Sequence, residues 1–358
     1  MSDNFDLDLT TWLDAVSPSS APEDLLPGAL ARTARTRQRP RWLVAERWTT
    51  MQLTLARTRV SRRALALFIV ALVALAIVAG LLAGGASRPP RLAIAFTVTN
   101  GGQTQVGAMA ADGSDATALT DRLVSAAASW TPDGSRLLIQ INRNGNDDIY
   151  AMDPDGSHQV RLTQDLHNDG AAVMSPDGTS IAYNADTTDS GCYELFVMNA
   201  DGTRPTQLTP DGDCNWGPSW THDGRGLFFG STRDGNFDIY TMRTDVTNLK
   251  RLTSNAATND AFPRLSPDGT KVAFTSWNAA LDKQSAEIDV MNVDGTRRTR
   301  LTTNGFEDSY PAWSPDGKKL VFQSNRDGNF EIYTMNVDGT GVTRLTRTPT
   351  DETHPSWR

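Results

Sequence analysis

The chain has 358 residues, 39% hydrophobic and 21% charged, with 34 Lys plus Arg against 42 Asp plus Glu for a net charge of −8. That composition is globular rather than disordered or collagenous, and its acidic balance argues against nucleic acid as a partner. Two cysteines and four histidines exclude a disulfide-stapled miniature fold, a cysteine-rich zinc module and a histidine-rich metal site.

Charge is unevenly spread along the chain. Residues 1–63 hold ten Arg and seven acids (net +3), which leaves 24 basic and 35 acidic residues (net −11) for residues 64–358. The segment 1–63 reads as two short pieces: the acidic NFDLDLTTWLDAV (Asn4–Val16), and a short helix in LLPGALARTARTRQRP stopped at Pro40, joined by the Ser/Pro-rich SPSSAPED. These pieces are too small for a core of their own, so the segment is expected to be partly helical or disordered.

Ala64–Ala86 (ALALFIVALVALAIVAGLLAGGA) is an unbroken run without a charge or a strong polar group. As a helix it would be about 34 Å long, enough for a hydrocarbon core of about 30 Å. A cleaved secretory signal has a short leading region and a core of about 7–15 apolar residues. With the whole of segment 1–63 ahead of a longer core, a membrane anchor is the better reading. Arg57, Arg59, Arg62 and Arg63 precede the run and only Arg88 and Arg91 follow closely, so the positive-inside bias predicts a single pass with a cytoplasmic N-terminus and everything after Ser87 exported. The arginine cluster also suits anionic lipid headgroups.

Beyond the span the sequence repeats itself. The turn recurs as WTPDG (Trp130–Gly134), MSPDG (Met174–Gly178), WTHDG (Trp220–Gly224), LSPDG (Leu265–Gly269) and WSPDG (Trp313–Gly317), its aspartates Asp133, Asp177, Asp223, Asp268 and Asp316 keeping a nearly even spacing. A period of about 40–50 residues means propeller blades or helical solenoid units. Between the turns, KKLVFQSNRDGNFEIYTMNVDGTGVTRLT (Lys318–Thr346) reads as short β-rich runs separated by hairpin signals, which selects blades. A second marker, Asp-Gly followed by Leu-Thr, closes each unit. It occurs six times, ending at Leu119, Leu162, Leu208, Leu252, Leu301 and Leu345, with Val246 replacing Gly in the fourth. Six endings against five internal turns leave the first unit, beginning RLAIAFTV (Arg91–Val98), without an opening strand. THPSWR (Thr353–Arg358) is an orphan opening strand that resembles SYPAW before Ser314. The expectation is an all-β, six-bladed propeller of four-stranded antiparallel blades over residues 87–358. The C-terminal strand completes the first blade and removes the free sheet edges.

The tandem pattern of Pro, Ser-Pro-Asp-Gly, an apolar strand, Arg-Asp-Gly, Ile-Tyr, Met-Asn, Asp-Gly-Thr and Leu-Thr resembles the repeats of TolB-type six-bladed β-propellers over Arg91–Arg358. The resemblance implies a binding platform outside the membrane, although similar blades also gate peptidases. Residues 1–63 ahead of the span resemble the cytoplasmic ends of membrane-bound anti-sigma regulators, which implies a regulator bound inside the cell.

Each repeated Asp-Gly is read as turn chemistry rather than calcium ligation, including Asp153 and Asp155 of MDPDG. Trp130, Trp220, Trp313 and Trp357 are expected to fill the gaps between blades. Strand direction places the NRDGN loops and the interblade loops on one face. Five residues before the tryptophan position, that face carries Asp169, Asp260, Asp308 and Glu352, with Asn215 and Ser125 completing the six; His167 and His354 lie near it. The acids either pair with a neighbouring blade's Arg143, Arg233 or Arg326, the favoured reading, or form an acidic mouth that receives a peptide or cation. Pairs on an exposed rim would contribute about 0–1 kcal/mol each. Cys192 and Cys214 fall in loops on that same face and are expected to form a disulfide in an oxidising compartment.

No Gly-x-Ser-x-Gly, His-Glu-x-x-His or phosphate-binding glycine loop is present, so no enzyme, cofactor or metal site is expected. The functional expectation is a membrane-anchored, extracytoplasmic, non-enzymatic propeller that binds a protein, a peptide or an envelope polymer at the acidic face. The alternative is a transmembrane sensor whose residues 1–63 hold a cytoplasmic regulator. A propeller hydrolase with channel carboxylates and a metal stands third.

Overall fold

The computed structural model describes residues 92–121, 124–143, 145–210, 212–281 and 285–358. The expected cytoplasmic segment 1–63 and membrane span 64–86 lie outside the described residues, as do the side chains of Ser125 and Arg143. No helix among the described residues is long and apolar enough to cross a membrane.

Six four-stranded antiparallel sheets follow one another along the chain. Blade 6 shows the pattern: an opening strand Asp308–Trp313, a second strand Lys319–Ser324, a third Glu331–Asn336 and a fourth, Thr343–Arg344, of two residues. The second and third strands are almost wholly buried and read as β-branched and aromatic runs, as strands covered on both faces must. Blade 1 is assembled from both ends of the domain. Its opening strand Asp351–Trp357 pairs with Ile94–Asn100, which in turn pairs with Gln103–Met109, and Thr117–Ala118 completes the sheet. Ile94 faces Trp357 and Val98 faces Glu352 across the closing pair, and the Arg358 amide donates to the Ala93 carbonyl at 3.0 Å.

The repeated turns work locally. In blade 6 the Asp316 Oδ1 accepts from the Ser314 hydroxyl (2.7 Å) and the Lys318 amide (3.0 Å), while Ser314 Oγ accepts from the Lys319 amide (2.9 Å); Gly317 takes φ 67° at the turn's end. These donors hold the Asp316 carboxyl below its ordinary range. The matching Asp133, held first by the Thr131 hydroxyl, falls to about 2. The Leu-Thr marker has a different task. Its threonine hydroxyl accepts from the backbone amide of a residue near the start of the third strand, as in Ile149 to Thr163 and Ile332 to Thr346, both within 3.0 Å. A two-residue strand thereby satisfies an inner amide that its own backbone does not reach.

The tryptophans sit between blades, as their spacing predicts. Trp130, Trp220 and Trp313 are buried, and the Trp220 and Trp313 indole N–H groups donate to the carbonyls of Val173 and Arg264 on the preceding blade. Each anchors an apolar cluster drawn from two adjacent blades, such as Ala182 and Leu195 of blade 3 with Leu227 and Phe229 of blade 4 around Trp220.

Candidate functional site

The expected acids all lie at or near the start of opening strands, and all four are buried at 0–1% exposure. Asp308 is held by Arg326, whose Nη2 lies 2.8 Å from both carboxylate oxygens and whose Nε donates to Ser324 Oγ at 2.9 Å. The guanidinium lies over Phe322 and Tyr333, and the Tyr333 hydroxyl donates to Asp327 of the same Arg-Asp-Gly loop. Blade 4 repeats the device with Arg233 on Ser231 and Asn215. The expectation of pairing with a neighbouring blade is therefore corrected. The arginine follows the second strand, and that strand's register with the opening strand, Ser324 opposite Asp308, returns it to the acid of its own blade.

Blades that lack the loop arginine treat the acid differently. In blade 5, Arg298 reaches Asp260 through Nη1 (2.7 Å) and Nη2 (3.0 Å) and Asp289 through Nε (2.6 Å). In blade 1, Glu352 accepts from the Thr348 and Thr350 hydroxyls; burial, and then Glu331 of blade 6, push its carboxyl up to about 7. In blade 3, neither carboxyl oxygen of Asp169 has a hydrogen-bond partner among the described residues. Burial first, with Asp165 adding to it, pushes Asp169 up to about 8, and the neighbouring Thr163 and Arg161 offset this only in part. The rim figure of about 0–1 kcal/mol does not apply to these desolvated groups, since removing one partner of a buried pair costs about 3–5 kcal/mol.

A second feature of the opening strands was not anticipated. Two residues after the acid position each strand bulges, and Ala171, Gly217, Phe262, Tyr310 and His354 all take φ between 50° and 64°. For Phe and Tyr this is a strained backbone. The bulges bring three of these side chains into one aromatic arc. Ring centroids are 4.3 Å apart for Phe262 and Tyr310 and 4.2 Å for Tyr310 and His354, with Trp216 stacked on Phe262 at 5.7 Å. The arc walls a cavity of about 630 Å³ in the central channel, running from the bulges to the Ser-Pro-Asp-Gly turns, where Pro132, Pro176, Pro267 and Pro315 line it. His354 thus belongs to the channel. His167 is half-buried in an interblade loop, its amide donating to Asp165 at 3.0 Å.

On the face of the hairpin and interblade loops, Leu166, Leu281 and Phe306 are exposed at 91%, 58% and 45%. Cys192 and Cys214 are joined on that side by a disulfide, with their Cα atoms 4.4 Å apart. Among the described residues no three of His, Cys, Asp and Glu are grouped to hold a metal ion.

Residues 186–280 and 257–358 match the family model described as the TolB beta propeller domain, and the remaining blades repeat the same strand order. Over the matched residues 186–358 the propeller is similar to the TolB type. An uncharacterised protein of Agrobacterium fabrum is 31% identical over 170 residues, 46% of this chain and 57% of that one. A TolB homologue of Chlorobium luteolum is 34% identical over 143 residues, and the Tol-Pal system protein TolB of Francisella tularensis 34% over 142, covering 40% and 39% of this chain and 32% of each relative. The chain thus spans between a third and three fifths of these relatives. Among solved structures, TolB from Acinetobacter baumannii superposes with a TM-score of 0.65 at 22% identity, covering 74% of this chain and 66% of that one. A putative TolB from Agrobacterium tumefaciens gives 0.57 at 24%, covering 71% and 89%. At these identities the superpositions speak for the fold.

Proposed function

We propose that this TolB-type propeller is a non-enzymatic protein-binding module of the bacterial cell envelope, held at the membrane by residues 64–86 with its N-terminus in the cytoplasm and its blades outside. The observation that carries the binding role is that Leu166, Leu281 and Phe306, all large and apolar, are exposed on the face of the hairpin and interblade loops. Leu281 and Phe306 stand on two loops that leave the same blade and offer an apolar spot at the rim, a feature found at protein contact surfaces, while Leu166 stands across the ring between blades 2 and 3. Beneath them Asp169, Asp260, Asp308 and Glu352 serve as the framework: the bonds of the last three fix where the loops leave the blades, and His167 borders the surface. Similarity to a Tol-Pal system protein supports a protein partner over a small substrate. The likeness of residues 1–63 to the cytoplasmic ends of membrane-bound anti-sigma regulators favours one extension of this reading, in which partner binding outside is relayed to a regulator held by that segment.

Photo-crosslinking in intact cells tests the face. A photoreactive residue placed at Leu166, Leu281 or Phe306 of the full chain is expected to give discrete protein adducts, and one at Val246 or Leu249, exposed on turns of the opposite face, is expected to give none. Adducts from both faces alike, or from neither, would reject the assignment.

A further inference from the structure

The channel cavity contains an arginine whose charge has no counterpart. Two residues beyond the bulge, the opening strands contribute Ser129, Val173, Ser219, Ala312 and Ser356, all small, and in blade 5 Arg264. The serines are spent on joining blades: Ser129 donates to the Ala172 carbonyl, Ser219 accepts from the Leu265 amide and Ser356 from the Trp130 amide. Arg264 differs from the arginines of the blades around it. Arg251, Arg298, Arg326 and Arg344 lie against carboxylates, whereas the Arg264 guanidinium donates through Nη1 to the carbonyls of Pro263 (2.9 Å) and Pro218 (3.5 Å) and makes no ion pair among the described residues.

The surroundings sharpen the contrast. No Asp or Glu lines the cavity among the described residues, although the chain as a whole is acidic; the charged groups there are Arg264 and Arg358. Arg358 is committed elsewhere, donating to the carbonyls of Leu92 and Gly134 with its guanidinium 4.2 Å from the Trp130 ring centroid. Burial draws the half-buried Arg264 guanidinium down to about 10 where it opens on the cavity. A partly desolvated cation gains most from an anion that brings its own acceptors, and a carboxylate matches the planar guanidinium in two parallel hydrogen bonds. Beside it stands the arc of Phe262, Tyr310 and His354, two of its members kept at an unfavourable backbone angle, the kind of strain that persists where the surroundings demand a side chain in one place. A cavity of about 630 Å³ is the size of a small-molecule site.

We propose that the channel of this propeller binds a small ring-bearing organic carboxylate, its carboxylate paired with Arg264 and its ring lying along Phe262, Tyr310 and His354. The site is separate from the exposed loop face and stands without it. Two ring chemistries meet this description, an aromatic acid and a sugar acid, since both a π-face and the C–H face of a pyranose stack on aromatic rings.

Calorimetric titration of the full chain with two matched pairs tests the site and separates the two chemistries: indole-3-carboxylate against its carboxamide, and glucuronate against glucuronamide. In one pair the acid is expected to bind at least tenfold more tightly than the amide. Arg264→Gln should bring that acid to the level of its amide while leaving the amide unchanged, and Tyr310→Leu should weaken acid and amide by the same factor. The pair that responds names the ring. Equal binding of acid and amide in both pairs, binding of neither, or an acid preference that survives in Arg264→Gln would overturn the proposal. Should Arg264→Gln fail to fold, the acid-to-amide ratio of the unaltered protein still decides.

Discussion

At the scale of single residues, Asp169 shows how much burial alone alters a carboxyl group. Its counterparts Asp260 and Asp308 in the ring of opening-strand acids are neutralised by Arg298 and Arg326, yet Asp169 has no cation bonded to it among the described residues and is fully buried. With its carboxyl at about 8 in the folded protein against 3.8 ordinarily, the native state binds a proton that the unfolded chain releases. Stability from this group is therefore greatest below about pH 4, declines as pH rises, and levels off above about pH 8. Asp169→Asn removes the ionisation while keeping the shape. Chemical denaturation is expected to show the variant gaining on the parent as pH rises from 4 to 8.5, by up to about 1.4 kcal/mol per pH unit and several kcal/mol in all. Parallel curves from pH 4 to 8.5 would mean that Asp169 has a partner in solution. The acids themselves were legible in the sequence because they recur at one offset from the tryptophan. Arg326 was legible as a partner but not the blade whose acid it meets, and Arg298 was not legible at all, because hairpin register and side-chain length decide both and the one-dimensional spacing contains neither. The aromatic arc could have been found by the same column reading two positions later, where Ala171, Gly217, Phe262, Tyr310 and His354 differ sharply. What makes that column matter is the bulge, and no residue type in the strand announces it.

At the scale of the blade, the turn between third and fourth strands holds the clearest local conflict. Five of the six turns place Gly after Asp at φ 83–90°. At Gly156 a Cβ would collide with the Leu119 carbonyl of the preceding blade, so the glycine serves interblade packing as well as backbone conformation. Blade 4 has Val246 at that position, at φ 63° and 54% exposed. A left-handed conformation costs an L-residue roughly 1–2 kcal/mol, and β-branching adds to the crowding. Val246→Gly gives back part of this through greater freedom of the unfolded chain, so the net expectation is a gain of about 0.5–1 kcal/mol. A thermal melt would show a rise of a few degrees or less; a fall would mean that the exposed valine side chain makes a contact worth more than the strain. This exception was visible in the sequence as the one Asp-Val among Asp-Gly repeats, because turn chemistry is local and needs no tertiary information. The Leu-Thr marker was equally visible, but its reason, a threonine hydroxyl replacing the fourth strand's backbone as acceptor, depends on a pairing between positions 14 residues apart.

At the scale of the whole ring, closure was legible because it follows from counting: six endings, five internal turns and one unpaired strand at the far end admit a single arrangement without free edges. The closing pair joins residues more than 250 positions apart, with Ile94 against Trp357 and Thr97 against Thr353. Trp357 packs beside the cluster of Ile94, Phe96 and Met109 with Val321 and Ile332 of blade 6, and Arg358 spans from Leu92 to the Gly134 turn of blade 2. The segment Thr353–Arg358 therefore touches three blades. Removing it strips the pairing partner from Ile94–Asn100, opens the Trp130 and Trp357 interfaces, and leaves an apolar strand edge in solvent. In a stacked repeat array such a loss would affect the terminal unit and spare the rest. In a closed ring each blade is supported on both sides, so the loss should spread to all six. Calorimetry of the shortened chain is expected to show one transition at a Tm lower by ten degrees or more, with concentration-dependent association through the exposed edge. Adding the missing segment as a synthetic peptide should restore part of the Tm. A melt split into two transitions, one at the original temperature, would instead mean that the far blades stand without closure.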